Sequence, residues 1–115
     1  MKKIRKIAAL LLALATGSAL LMTGCDSTSS TTTVAIVQPM SHTSLDQIRD
    51  TIISELEAAG RDDIKVVTEN ANNDTTALST IMQNLRSEGV DIVVPIATNT
   101  AQSAKAAFEG EDTPI

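Results

Sequence analysis

The side chains of this sequence that are best suited to chemistry are neutral hydrogen-bonding groups in two short segments. They are His42, Ser44, Thr98, Asn99 and Thr100. Such groups can donate to a small ligand without attracting bulk cations. Backbone N–H groups at a neighbouring helix start suit a carboxylate or another small anion. This polar, weakly charged pattern favours binding over hydrolysis.

Each of these residues also has a purely structural explanation. Helix capping alone would explain Ser44, and equally Thr98 or Asn99. Capping explains the pair of hydroxyls at Thr98 and Thr100 less well, because one cap needs only one side chain. A solvated loop position explains His42 as well as ligand contact does.

Signatures of the common catalytic sites are missing from the sequence. No Gly-x-Gly-x-x-Gly or Walker-type loop and no Gly-x-Ser-x-Gly elbow is present. With a single histidine, a histidine-based metal site would need carboxylates as its other ligands, and the acids lie scattered on helix faces as solvated surface. The sequence therefore predicts a protein that is not an enzyme, with no catalytic residue, metal or cofactor.

Composition argues against nucleic acid as a partner. From Cys25 onward the chain carries five basic and fourteen acidic residues, a formal charge of −9, and Phe108 is its only aromatic residue. A surface of that sign repels phosphate backbones and anionic lipid headgroups, and one ring offers no platform for stacked bases. With one cysteine, no intramolecular disulfide can form and a cysteine-rich zinc site is excluded.

The first 24 residues have the layout of an export signal, with four basic residues within 1–6 before an apolar run at 7–22. That run is 16 residues long, whereas a membrane span needs about 20. A retained membrane anchor is therefore the less favoured alternative to a cleaved signal. The stretch LMTGC at 21–25 resembles a bacterial lipobox. The resemblance implies a diacylglyceryl group on the Cys25 sulfur and cleavage just before it.

Lipidation agrees with the residues that follow. Two acyl chains hold a protein at a membrane, whereas one anchors it only marginally. The stretch DSTSSTTT at 26–33 is polar and of low complexity, which predicts a flexible tether. We therefore expect a signal peptide at 1–24, the lipidated cysteine and tether at 25–33, and a folded part at 34–115 that the lipid holds outside the cytoplasm.

The folded part alternates strand and helix patterns. Apolar, β-branched runs at 34–38, 64–68 and 90–96 predict three strands, and residues 113–115 suggest the entry to a fourth. Apolar residues at helical spacing predict a helix after each of the three strands. The expected N-caps are Ser44, in a Ser-x-x-Gln capping box, Asp74 or Thr75, and Thr98 or Asn99, and the expected stops are Gly60, Gly89 and Gly110.

This alternation with short connections indicates an α/β fold with right-handed βαβ units and a parallel sheet. In such sheets, ligands bind beyond the carboxyl ends of the strands. The connections at that edge are 39–44, 70–74 and 97–100, so both polar segments meet there. A fourth strand that is only begun would leave an apolar edge open, so we expect this chain to be the first part of a longer protein.

Three stretches of the folded part resemble one known family. They are AIVQPMSHTSLDQIRDTIISELEAAG at 35–60, ENANNDTTALSTIMQNLRSEGVDIVVPIATNTAQSA at 69–104, and DTPI at 112–115. VDIVVPIATNTAQSA is the most specific piece. The family is that of the substrate-binding lipoproteins of ABC transporters, tryptophan/tyrosine type, and the resemblance covers only the first part of its length.

The resemblance implies a type I periplasmic-binding-protein fold, of which this chain would be the first part of the N-terminal lobe. In that fold two α/β lobes close around a small solute, by a population shift toward the closed state. The resemblance also implies solute capture outside the membrane and delivery to ABC permease subunits. The ligand contacts that it implies are Ser41, His42, Thr43, Ser44, Thr98, Asn99 and Thr100.

The solute stays open at this point. An aromatic amino acid needs aromatic or apolar packing, and the two polar segments offer none. Either the missing lobe supplies this packing, or the ligand is another amino acid or a small organic anion. Alternatives to an importer component are a nucleoside- or sugar-type receptor on the same fold, a lipid-anchored enzyme with its catalytic part beyond Ile115, and a structural lipoprotein. Without the opposing lobe, we expect this segment to bind solute weakly or not at all.

Overall fold

A computed structural model describes residues 30–115; the predicted signal peptide, Cys25 and residues 26–29 of the predicted tether lie outside them. Strands and helices alternate along the described part. They are β1 (Thr32–Gln38), α1 (Thr43–Ala58), β2 (Ile64–Asn70), α2 (Thr75–Glu88), β3 (Ile92–Pro95) and α3 (Thr98–Ala107). Over residues 30–115, no helix combines the length and the apolar character that crossing a bilayer requires.

The three strands form one parallel sheet in the order β2-β1-β3. Because β1 is central, the chain crosses to one side of it for β2 and back to the other side for β3. Right-handed connections then place α1 on one face of the sheet and α2 on the other. The predicted α/β class, with βαβ units and a parallel sheet, is confirmed.

The face that carries α2 and α3 holds the hydrophobic core. Its members are Ala35, Val37, Ala71, Leu78, Met82, Leu85, Val90, Val93, Ala104 and Phe108. Ile81 is partly buried against them, so the whole apolar stripe predicted for α2 faces the core. Met82 has no exposed surface, and burying a side chain of that size contributes about 2 kcal/mol.

The opposite face is covered much less completely. None of the residues of α1 is buried, and Ile48, which belongs to its apolar stripe, is 47% exposed. The reason is that α2 and α3 pack together on the core face, and the described residues place no second helix beside α1. The prediction of a helix here is confirmed, although its apolar stripe is only half covered.

Several boundaries differ from the sequence-based expectation. β1 begins at Thr32, inside the predicted tether, because Thr32 and Thr33 pair with Ile64 and Lys65 of β2. β2 continues to Asn70. β3 begins later than expected, since Val90 N still donates to Leu85 O at the end of α2. Long-range pairing and the helix end decide these limits.

The helix caps correct two predictions and confirm one. The N-cap of α1 is His42, whose ring accepts from Ser44 N, so Ser44 lies in the first turn and is not the cap. The N-cap of α3 is Ala97, without a side-chain bond, so neither Thr98 nor Asn99 has the capping role expected of it. Asp74 caps α2, accepting from two backbone N–H groups at 2.7 and 3.0 Å.

The helix stops and the chain after α3 follow the predicted pattern. Gly60 and Gly89 follow α1 and α2 with φ of 63° and 68°. α3 ends at Ala107, a few residues before the predicted stop at Gly110. Beyond α3, Pro114 O accepts from Val93 N at 3.0 Å, so the chain makes a backbone hydrogen bond along the outer side of β3. Residues 113–115 do not themselves form a strand.

Candidate functional site

The candidate site lies at the carboxyl edge of the sheet. The parallel register pairs Gln38 with Asn70 and Val37 with Pro95, so the three strands end at about the same level. The connections that leave this edge begin α1, α2 and α3. The structure therefore brings both predicted polar segments to one edge, as the strand–helix pattern requires.

The first two connections are hydrogen-bonded to each other. Ala71 N donates to Gln38 O at 3.1 Å, and Asn73 N donates to Pro39 O at 2.7 Å. A side chain adds a third bond, because Asn70 Nδ2 donates to Ser41 Oγ at 2.8 Å. These bonds hold residues 39–42 against the end of β2.

Asn70 was not predicted as a site residue, although it positions one. Its Oδ1 accepts from Asn72 N at 2.8 Å while its Nδ2 donates to Ser41. Asn72 and Asn73 follow with φ of 51° and 64°, the left-handed conformation that asparagine tolerates in turns. The available sequence signal was an amide at the last position of a strand, where both amide groups can reach neighbouring loops.

The first predicted segment presents its side chains to solvent. Ser41, His42, Thr43 and Ser44 are all exposed. His42 Nδ1 accepts from Ser44 N at 3.3 Å, so in the neutral ring the proton is on Nε2. That N–H is a donor at the site edge, and the cap holds the ring in place.

The residues of the second predicted segment differ in their exposure to solvent. Thr98 and Asn99 are exposed, whereas the Thr100 side chain is fully buried. Asn99 Oδ1 accepts from Thr100 N at 2.9 Å. Thr100 therefore offers no surface to a ligand in this conformation, and its contact with one stays a prediction.

A cavity of about 400 Å³ opens between the N-terminal ends of α2 and α3; we call it the edge cavity. Its lining residues are Pro39, Ala71, Asn73, Asp74, Thr75, Leu78, Ser79, Asn99, Gln102 and Ser103. Of the predicted ligand contacts, only Asn99 lines it. Gln102 and Ser103 were missed, although they follow Asn99 by three and four residues and so share its helix face.

The two helix starts beside the edge cavity differ in electrostatic character. At α2 the Asp74 carboxylate already occupies the backbone N–H groups. At α3 the N-cap residue Ala97 makes no side-chain bond, and Asn99 Oδ1 accepts only from Thr100 N, so in the described residues the N–H groups of Thr98 and Asn99 are left for an external acceptor. Arg61 and Asp63 lie just before β2, at the amino ends of the strands and well away from the edge cavity. There the hydrogen bond from Arg61 lowers the pKa of the Asp63 carboxyl.

Residues 30–115 contain no group of three or more His, Cys, Asp or Glu side chains placed to hold a metal ion. What the edge offers instead is a set of neutral donors and acceptors. They come from Asn73, Asn99, Gln102 and Ser103, beside the apolar surface of Leu78. This combination suits noncovalent recognition of a small polar molecule.

A polar cavity at the carboxyl edge of a parallel sheet is common among α/β proteins, and the solved structures that share this fold are periplasmic binding proteins. A domain from Streptococcus pneumonia described as an ABC domain in complex with L-Trp is 33% identical, with a TM-score of 0.66. A ligand-free, open substrate binding protein with adhesive properties from Clostridium difficile is 28% identical, with a TM-score of 0.65. The matches cover 74% and 70% of this chain.

The sequence profile described as ABC transporter substrate binding protein matches residues 33–115, and the chain belongs to this family. The predicted fold class and the prediction of an ABC transporter substrate-binding protein are thereby confirmed, whereas the tryptophan/tyrosine type and the lipid anchor stay predictions. The chain spans only 29% and 28% of the two solved chains. No curated protein matches it at a significant level.

Proposed function

We propose that this protein is the solute-binding component of an ABC importer and that it takes an amino acid or a related small organic anion. The observation that carries the proposal is the uncapped start of α3 beside the edge cavity, in a chain of this family. Carboxylates bind well at such helix starts, because the N–H groups and the helix dipole both favour a negative charge. The L-Trp complex of the Streptococcus relative supports an amino acid.

The residues of this edge then have separate roles. The ligand carboxylate accepts from the first N–H groups of α3, and Asn99, Gln102 and Ser103 contribute amide and hydroxyl groups beside it. His42 adds the Nε2 donor from the first connection. Since Leu78 and Phe108 both lie in the core, a bulky ligand side chain relies on the opposing lobe expected from the resemblance.

The remaining expectations complete the proposal. A signal peptide at 1–24 directs export, a lipid on Cys25 keeps the protein at the outer side of the membrane, and residues 34–115 form the first part of the N-terminal lobe. Ligand binding to both lobes stabilises the closed state, which ABC permease subunits recognise. Binding shifts a population between states, so no bond in the solute is broken.

The test is a thermal-shift panel on the protein expressed from its complete coding region. L-Trp, L-Tyr, L-Leu, L-Glu, glucose and uridine cover the competing solute classes. A ligand present at a hundredfold excess over its dissociation constant stabilises the folded state by about 2.7 kcal/mol. We expect an increase in melting temperature with at least one amino acid. An increase only with glucose or uridine, or turnover of a bound compound, contradicts the proposal.

Asn99→Asp distinguishes an anionic ligand from a neutral one. The substitution keeps the oxygen that accepts from Thr100 N, so folding should be preserved, but it places a negative charge beside the proposed carboxylate. We expect the affinity for the amino acid identified in the panel to fall at least about tenfold, because like charges in contact cost several kcal/mol. Isothermal titration calorimetry measures the change.

Asn84→Asp is the matched control, because Asn84 is exposed on α2 and does not line the edge cavity. It adds the same charge and should leave the affinity unchanged. Equal affinities for both variants and the unmodified protein would place the ligand carboxylate elsewhere.

A further inference from the structure

Three polar side chains connect the end of β1 to the first turns of α1. We call them the Gln38 triad: Gln38, Asp46 and Arg49. Gln38 is only 1% exposed. Its Nε2 donates to Met40 O at 3.1 Å and to Asp46 Oδ1 at 2.9 Å. Arg49 Nη1 donates to Gln38 Oε1 at 3.3 Å and to Asp46 Oδ1 at 3.2 Å.

The chemistry of the partners permits only one orientation of the Gln38 amide. The Arg49 guanidinium can only donate, so it must face the amide oxygen. The Met40 carbonyl can only accept, so it must face the amide nitrogen. A carboxylate at position 38 would satisfy Arg49 but would oppose both Met40 O and Asp46.

A buried amide at this strand position needs a reason. Val34 and Ile36 precede Gln38 on the same side of β1 and are apolar and buried. A buried polar side chain is stable only when its hydrogen bonds are made, and here one of them reaches the backbone of residues 39–42. The amide therefore ties the first connection to the sheet from the side of α1.

The first connection is thus held from two directions. Asn70 of β2 bonds Ser41, and Gln38 of β1 bonds Met40 on the face that carries α1. The triad also joins the first turns of α1 to the sheet, and this matters because no residue of α1 is buried. Without the triad, the bonds of residues 39–42 to the described residues outside α1 would be only those to Asn70 and Asn73, on the β2 side.

We infer that the Gln38 triad holds residues 39–42 in one conformation and that this preorganises the first connection for ligand contact. Gln38, Asp46 and Arg49 are positioning residues, since they act through the loop. The second half of the inference rests on the proposed function. A loop that is already ordered loses less conformational entropy on binding, which increases affinity.

Gln38→Glu tests the inference in the protein expressed from its complete coding region. Amide hydrogen exchange should become at least about tenfold faster at Asn73 and Asp46, whose N–H groups donate to Pro39 O and His42 O, because these bonds open when the connection loosens. Exchange inside α2 and α3 should stay unchanged. The affinity for L-Trp, or for the amino acid that raises the melting temperature most, should fall at least about tenfold. Gln47→Glu makes the same chemical change at an exposed position of α1 and should change neither result.

Each outcome decides one half of the inference. Unchanged exchange at the amides of Asn73 and Asp46 overturns the positioning role, and faster exchange with unchanged affinity overturns the preorganisation. If the unmodified protein binds none of the amino acids, the proposed function and the preorganisation both fall, while hydrogen exchange still reports on the positioning role. Should Gln38→Glu fail to fold, Asp46→Ala removes a partner of the same side-chain amide from a half-exposed position and should accelerate exchange at the same two backbone amides.

Discussion

Met82→Ala is expected to lower the free energy of unfolding by about 2–5 kcal/mol, the range for removing a fully buried methionine side chain. Met82 has no exposed surface and lies in the core cluster with Leu78, Leu85 and Phe108. Small domains have about 5–15 kcal/mol of net stability, so this single change removes a large share. Urea unfolding followed by far-UV circular dichroism measures the loss. Tryptophan or tyrosine fluorescence cannot be used for residues 1–115, because they contain neither residue.

Met82→Leu is the matched control. A volume-conserving apolar replacement usually costs less than about 1.5 kcal/mol, because the cavity that alanine leaves does not form. A loss below about 1 kcal/mol for Met82→Ala would contradict the position of this side chain at the centre of the core.

Ala97→Gly is expected to raise the free energy of unfolding by about 1 kcal/mol or more. Ala97 has φ of 77° and ψ of 157°, in a region that glycine occupies far more readily than alanine. Ala97→Val should change stability in the opposite direction, because a β-branched side chain is harder still to accommodate there. Thermal unfolding of the three proteins measures both effects.

Ala101→Gly is the control for this prediction, because Ala101 lies inside α3 with a helical environment. There the same substitution should destabilise by about 1 kcal/mol, which gives the opposite sign. If both glycine variants are destabilised, the backbone at Ala97 is not strained.

The strain at Ala97 also has an expected effect on binding. Ala97 is the N-cap residue of α3, and its backbone conformation directs the first N–H groups of the helix toward the edge of the sheet. We expect Ala97→Gly to gain stability and to lose affinity for the amino acid ligand, because a freer backbone aims these groups less well. Such an exchange of stability for function is typical of strained residues at binding sites.

Much of the secondary structure could be predicted from the sequence because its signals are local. The apolar stripe of α2, the Asp74 cap and the stop at Gly89 each depend on residues within a few positions of one another. The resemblance to the ABC substrate-binding family rested on contiguous stretches. Both kinds of signal can be read without knowledge of packing.

Features that depend on distant contacts could not be predicted in the same way. Thr32 and Thr33 belong to β1 because they pair with Ile64 and Lys65 of β2. Asn70 Nδ2 donates to Ser41 Oγ because β2 ends beside the first connection, although the two residues lie 29 positions apart in the chain.

For the candidate site, the sequence by itself determined the edge at which polar residues gather, because every strand of a parallel sheet ends on the same side. Only the tertiary structure decided which of them share a cavity. The packing of α2 against α3 places Asn73 and Ser79 in one cavity with Asn99, and it buries Thr100. Side-chain direction depends on how neighbouring helices pack, and residues far apart in the chain decide that packing.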